Sequence, residues 1–124
     1  MPARVEFVLG AAEDLRSYAR TGNINLFLRK LIRLETVGKA AGQPLGRDLR
    51  GYDKIVVGYR DWRIVFTMNP DETTATIVVI GERADEACYQ EAQKRIAAMG
   101  VDRPEAISLA AAMLELPQLR KKRS

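Results

Sequence analysis

The chain has 124 residues, of which 47% are hydrophobic and 29% charged, and its net charge is +4. This length and balance predict one soluble domain with a modest core. One cysteine, Cys88, and no histidine exclude intrachain disulfides, cysteine-cluster metal sites, the usual zinc sites and histidine-based acid–base catalysis, so we expect no cofactor and a reducing, cytoplasmic location. No apolar run reaches the ~20 residues that span a bilayer, and a strand pattern begins too early for a signal peptide.

The charges are unevenly distributed along the chain. Residues 1–66 contain 12 Lys and Arg against 7 Asp and Glu, whereas residues 67–119 contain 4 against 9. The basic first half indicates either an anionic partner or internal charge pairing with the acidic segment. Residues 120–123 are all Lys or Arg, and this basic end adds non-specific attraction to nucleic acid.

The N-terminal part predicts one strand and two helices. The strand covers residues 4–9, the first helix 11–20, and the second helix 24–39. The second helix has a core-facing apolar stripe at helical spacing: Ile24, Phe27, Leu28, Leu31 and Leu34. Its other face carries three cations: Arg29, Lys30 and Arg33. That face is typical of a solvated surface, with a nucleic-acid surface as the alternative.

Residues 49–83 alternate with the period of antiparallel strands and form the centre of the predicted fold. An even-numbered turn after Gly58 places Val57 opposite Trp62 and Val56 opposite Arg63. The larger apolar residues then share one face of the sheet. Lys54 and Arg63 share the other face.

A third strand follows a loop rich in turn-forming residues. The loop covers residues 69–73, and residues 74–80 form a β-branched run typical of a buried strand. A five-residue loop places Arg83 on the face of Lys54 and Arg63. This cationic face predicts either a surface for a phosphate chain or the solvated side of a half-buried sheet.

The C-terminal part predicts two helices. The first covers residues 84–99, and Cys88 lies on its apolar side, which predicts a buried rather than a reactive thiol. The second covers residues 102–116 and is apolar nearly all round, which predicts self-association or extra core packing. We therefore divide the chain into a domain of residues 1–99 and a helical extension with a basic tail, residues 100–124.

Three segments carry a resemblance to a known family: LRGYDKI, DWRIVF and IVVIGERADEACYQEAQKRI. Together with the order of elements between Arg4 and Ile96, they resemble the RelE/ParE superfamily of bacterial toxins from toxin–antitoxin pairs. The resemblance implies an α+β fold in which an N-terminal strand and two helices precede a three-stranded antiparallel meander and C-terminal helices. It also implies a cognate antitoxin as a partner.

Four positions match the RelE-like branch, whose members cleave mRNA on the ribosome: Lys54, Arg63, Arg83 and Tyr89. In such enzymes the ribose 2′-OH attacks the adjacent phosphate. The resemblance implies that Arg63 and Arg83 stabilise the developing charge, that Arg83 gives a proton to the leaving oxygen, and that Tyr89 stacks on a base. Packing of Tyr89 on the sheet is the alternative.

One position departs from the family pattern. RelE-like nucleases carry a second basic residue two positions beyond the one that matches Lys54, implied to be the general base, and this chain has Val56 there. Lys54 projects from the same strand face and can take over that role. The alternatives are a ParE-like inhibitor of DNA gyrase without nuclease chemistry, or a catalytically impaired interaction module.

Overall fold

The structure is a computed structural model that describes residues 2–46, 49–59, 61–82, 87–98 and 107–114. Its α-helices are α1 (Leu9–Ala19), α2 (Ile24–Val37), α3 (Ala87–Ala98) and α4 (Leu109–Leu114). Its strands are β1 (Arg4–Phe7), β2 (Gln43–Pro44), β3 (Tyr52–Val57), β4 (Trp62–Met68), β5 (Thr74–Glu82) and β6 (Ile107–Ser108). No helix within these ranges is long and apolar enough to cross a bilayer. The predicted α+β class is confirmed.

The strands form one mixed sheet in the order β2-β3-β4-β5-β1-β6. All neighbouring pairs are antiparallel except β1 and β5, which are parallel. The predicted meander of β3, β4 and β5 is confirmed. Its predicted register is also confirmed, since Val57 lies opposite Trp62 and Val56 opposite Arg63.

Helices α1 and α2 cover one face of the sheet and form the main core with it. The predicted apolar stripe of α2 is confirmed, because it is buried apart from the half-buried Leu28. The Phe27 ring packs between Tyr18 and Trp62, with ring centroids 4.5 Å and 5.4 Å away. Gly38 ends α2 with φ of +70°, a left-handed conformation that a side chain disfavours.

Helix α3 covers the other face of the sheet, where a second apolar cluster forms. A bulge brings both Val78 and Val79 of β5 into this cluster, since Val65 pairs with Val79 while Phe66 already pairs with Ile77. The prediction of a solvated sheet face is therefore wrong for Arg63, which is buried, whereas Lys54 is half-buried. A sheet covered on both faces holds its residues in fixed positions.

The approach of α3 to the sheet depends on Gly81. A Cβ atom at Gly81 would lie 3.0 Å from the Cβ of Cys88, which is tighter than nine in ten real Cβ contacts. The buried position predicted for Cys88 is confirmed. The predicted start and end of this helix, residues 84 and 99, lie outside the described residues.

The C-terminal segment differs from the single helix predicted for residues 102–116. Ile107 and Ser108 instead form β6, which pairs with β1, and α4 begins only at Leu109. The Ser108 Oγ accepts a hydrogen bond from the Ala111 amide at 3.1 Å, so Ser108 caps α4 and ends the strand. Leu109 and Ala112 join the main core. Residues 102–106 and 115–116 lie outside the described residues.

Candidate functional site

The strand register places Lys54 and Arg63 on the same face of the sheet. Lys54 pairs with Val65, and Arg63 lies two residues before Val65 on β4, so the two cations are diagonal neighbours. Such neighbours lie about 7–8 Å apart at the backbone, within reach of two long side chains. The predicted sharing of one face by Lys54 and Arg63 is confirmed.

Arg63 is buried in the sheet and is only 5% exposed. Its Nη1 donates a hydrogen bond to the Trp62 carbonyl at 2.9 Å. Its register neighbours are Val56 on β3 and Gly81 on β5. Arg63 is thus a fixed cation on a rigid strand.

Tyr89 lies on α3 and is half-buried against the apolar cluster on that face of the sheet. This position agrees with the packing that the sequence offered as an alternative to base stacking. It also puts Tyr89 on the side of the sheet that carries Lys54 and Arg63. Arg83, the fourth predicted site residue, lies outside the described residues, directly after the end of β5 at Glu82.

An ion-pair network fixes α3, and with it Tyr89, to the rest of the molecule. Arg95 Nη1 donates to Asp14 Oδ2 at 2.7 Å and to the Val78 carbonyl at 2.8 Å, and Arg95 Nε donates to Glu91 Oε2 at 2.8 Å. Asp14 Oδ2 also accepts from the Ile80 amide at 3.0 Å. The network therefore satisfies backbone groups of β5 beyond the point where β1 ends.

The charges in this network reinforce one another. Burial acts to lower the pKa of Arg95, but the hydrogen bonds and charges of Asp14 and Glu91 outweigh it and raise the pKa above its ordinary value. Arg95 thus keeps its charge in the network that joins α1, β5 and α3.

A second group of cations lies beside Lys54. Lys30 and Arg33 belong to the face of α2 for which the sequence predicts a solvated surface or, as the alternative, a nucleic-acid surface. Together with Lys54 they line a cavity of about 260 Å³. The spacing of Lys30 and Arg33 puts both on one side of α2. Nothing in the sequence relates them to Lys54, because that relation depends on how α2 crosses the sheet edge.

The chemistry available to these residues is that of fixed cations. Within the described ranges, no group of three carboxylate or cysteine side chains is placed to hold a metal ion. Cations on rigid strands bind phosphate oxygens and stabilise negative charge that builds up on them.

Comparison with solved structures identifies the fold. A mutant of the E. coli toxin RelE in the free state matches with a TM-score of 0.61 and 21% identity, over 77% of this chain and 99% of that one. The isolated E. coli RelE toxin matches with a TM-score of 0.54 and 20% identity, over 76% of this chain and 98% of that one. Scans of protein-family models and of curated proteins return no match.

A toxin–antitoxin complex of the RelBE type from Mycobacterium tuberculosis matches with a TM-score of 0.57 and 23% identity, over 67% of this chain and 100% of that chain. The protein therefore has the fold of the RelE-type toxins, and the resemblance to the RelE/ParE superfamily is confirmed at the level of fold. Nearly the whole of each matched chain has a counterpart here. About a quarter to a third of this chain has none in them.

Proposed function

We propose that this protein is the toxin of a toxin–antitoxin pair and that it cleaves mRNA on the ribosome. The observation that carries the proposal is the diagonal placement of Lys54 and Arg63 on one sheet face of a RelE-type fold. A site built on paired strands holds its cations where the charge of a reaction develops. Tyr89 lies on the helix that covers that face.

The reaction that suits these residues is transfer of the phosphate to the neighbouring ribose oxygen. The 2′-oxygen forms a bond to phosphorus while the bond from phosphorus to the 5′-oxygen breaks, leaving a 2′,3′-cyclic phosphate and a 5′-OH. In our assignment the neutral amine form of Lys54 accepts the proton of the 2′-OH and becomes an ammonium, while Arg63 binds the phosphate oxygens. By the resemblance, Arg83 returns a proton to the leaving oxygen. Each well-placed donor contributes roughly a hundred- to a thousandfold in rate.

Mapping the ends of ribosome-bound mRNA tests this proposal. We expect the wild-type protein to create new 5′-OH ends, and Lys54→Gln to lower their rate of formation about a hundredfold or more. Arg29→Gln is the matched control, because it removes one exposed positive charge from the neighbouring α2. Equal losses in both variants would mean that overall charge, and not Lys54, supports cleavage.

Val56 gives a gain-of-function test of the same site. It lies directly opposite Arg63 and two residues from Lys54, at the position where the family pattern has a basic residue. We expect Val56→Lys to maintain or raise the cleavage rate, since it adds a cation beside the reacting phosphate. A complete loss of cleavage in folded Val56→Lys protein would contradict our assignment of this face.

Val56 is also the observation that favours a second candidate function. A site lacking the expected basic residue fits a gyrase inhibitor without nuclease chemistry. Supercoiling assays distinguish the two functions. A wild-type protein that forms no new 5′-OH ends and yet inhibits gyrase would replace the nuclease proposal with this one.

The proposed partner is a small antitoxin that covers the cationic face or the first two helices. Complementary charge on a helix or strand would neutralise the basic first half of the chain. We expect the product of the neighbouring gene to copurify with this protein and to restore growth when both are expressed. Failure of both results would exclude that product as the antitoxin.

A further inference from the structure

The cavity between α2 and the open edge of β3 has the features of an anion-binding site. Its volume is about 260 Å³. This is just below the ~300–1,000 Å³ of pockets for drug-sized ligands, and it suits a small group such as one phosphate with part of its sugar. Lys30 and Arg33 line it from α2, and Lys54 and Gln43 line it from the paired ends of β3 and β2.

The sheet edge adds a backbone donor to this cavity. Strand β2 pairs with β3 only at Asp53 and Lys54, and the Leu45 amide donates to the Tyr52 carbonyl at 2.8 Å. In an antiparallel ladder, every second residue points its amide to the same side. The amide of Val56, four residues after Tyr52, therefore points out of the sheet beyond the end of β2, where Val56 lines the cavity.

The charges that line the cavity all have one sign. Within the described part of the chain, Lys30, Arg33 and Lys54 form no ion pair, and no carboxylate lines the cavity. Three cations around one small space repel each other, and an anion that enters the space removes this cost. Lysine, arginine and backbone amides are the groups that bind the phosphates of nucleic acids.

We propose that this cavity binds a phosphodiester group of the RNA strand, as a second phosphate site on the α2 side of Lys54. The identity of the strand rests on the proposed function, because Lys54 belongs both to the cavity and to the proposed cleavage site. An acidic peptide is the weaker match. A peptide helix or strand is anchored by several side chains spaced along a groove, whereas the volume of this cavity suits one small anionic group.

Binding of an RNA that cannot be cleaved tests the site apart from catalysis. The probe is a short fluorescein-labelled single strand with 2′-O-methyl groups, which lacks the attacking hydroxyl, and the readout is fluorescence anisotropy at several salt concentrations. The test variant is Lys30→Gln/Arg33→Gln. The control is Arg20→Gln/Arg29→Gln, which removes the same charge from exposed positions that do not line the cavity.

We expect the cavity variant to bind the probe about tenfold more weakly or worse, and its salt dependence to fall by about 0.7–1.4 in the slope of log K against log[salt]. The control variant should lose much less affinity for the probe. Equal losses in both variants, or no loss in the cavity variant, would overturn the proposal. Retained RNA binding with selective loss of binding to an acidic partner peptide would assign the cavity to a protein instead.

The proposed cavity site and the proposed nuclease function can be refuted independently of each other. A wild-type protein that forms no 5′-OH ends but needs Lys30 and Arg33 for RNA binding would refute the nuclease and support the cavity. A wild-type protein that cleaves mRNA, with RNA binding unchanged in Lys30→Gln/Arg33→Gln, would refute the cavity alone.

Discussion

The two faces of the sheet are built from different kinds of residue. The face under α1 and α2 holds the largest fully buried side chains, among them Phe7, Phe27 and Phe66. The face under α3 holds a smaller cluster of valines, leucine and alanine, together with Arg63 and the half-buried Lys54. Most of the hydrophobic stabilisation therefore comes from the first face, and the second face uses stiff β-branched neighbours to position cations.

Truncation of the core on each face is the strongest test of this comparison. We expect Phe27→Ala to lower the free energy of unfolding by about 3–5 kcal/mol, because it leaves a cavity between Tyr18 and Trp62. Val79→Ala on the α3 face should cost only about 1–3 kcal/mol. Urea denaturation measures both values. Equal costs would show that the two faces contribute alike.

Removal of the Arg95 network should have a smaller and more local effect. We expect Arg95→Met to cost about 1–3 kcal/mol, since it leaves Asp14 and the Val78 carbonyl without their partner in a half-buried place. Amide hydrogen exchange should rise in α3 more than in α2. Lys94→Met, an exposed change on the same helix, is the control. Unchanged exchange in α3 would mean that apolar packing alone holds it.

The smallest expected effect concerns Asp53, which is 4% exposed on β3. Burial raises the pKa of Asp53, and the charge of Lys39 only partly opposes this. Because the folded-state pKa is raised, ionisation disfavours the folded state, and stability falls as pH rises through that pKa. We expect Asp53→Asn to have a Tm a few degrees above that of wild type at pH 7 and the same Tm as wild type near pH 3.

Asp71 provides a control for Asp53, because its pKa is shifted in the opposite direction. Hydrogen bonds from the Thr73 hydroxyl and amide, at 2.6 Å and 3.2 Å, lower the pKa of Asp71. Its contribution to stability is therefore present above the ordinary pKa and is lost as pH falls through the folded-state value. Asp71→Asn should lower the Tm at pH 7. A rise in both variants would show that general relief of negative charge, and not burial, explains Asp53.

The sequence predicted the parts of the fold that local patterns determine. Strand alternation predicts the register that puts Arg63 opposite Val56, and helical spacing predicts the buried stripe of α2. The helix predicted from apolar spacing near the C-terminus was wrong at Ile107 and Ser108. These two residues pair with the edge of β1, and the local apolar pattern contains no sign of that pairing. Pairing with a distant strand overrides local propensity at such a place.

The candidate site was predictable only in part for the same reason. The alternation of side chains along two strands places Lys54 and Arg63 on one face. The covering of that face depends on α3, which meets the sheet through Gly81 and Arg95. The cavity with Lys30 depends on the crossing of α2 over the sheet edge, which no local pattern predicts. The position of Arg83 on the face of Lys54 and Arg63 stays a prediction, because Arg83 lies outside the described residues.

The central claim is that the α3 face performs the chemistry, and the single-turnover rate of mRNA cleavage by Arg63→Gln on programmed ribosomes tests it most directly. The folded fraction is measured by circular dichroism on the same sample, so that unfolding cannot account for a loss. We expect folded Arg63→Gln to cleave roughly a hundred- to a thousandfold more slowly than wild type, because a fixed cation no longer stabilises the phosphate charge. Cleavage by folded Arg63→Gln at the wild-type rate would contradict the claim.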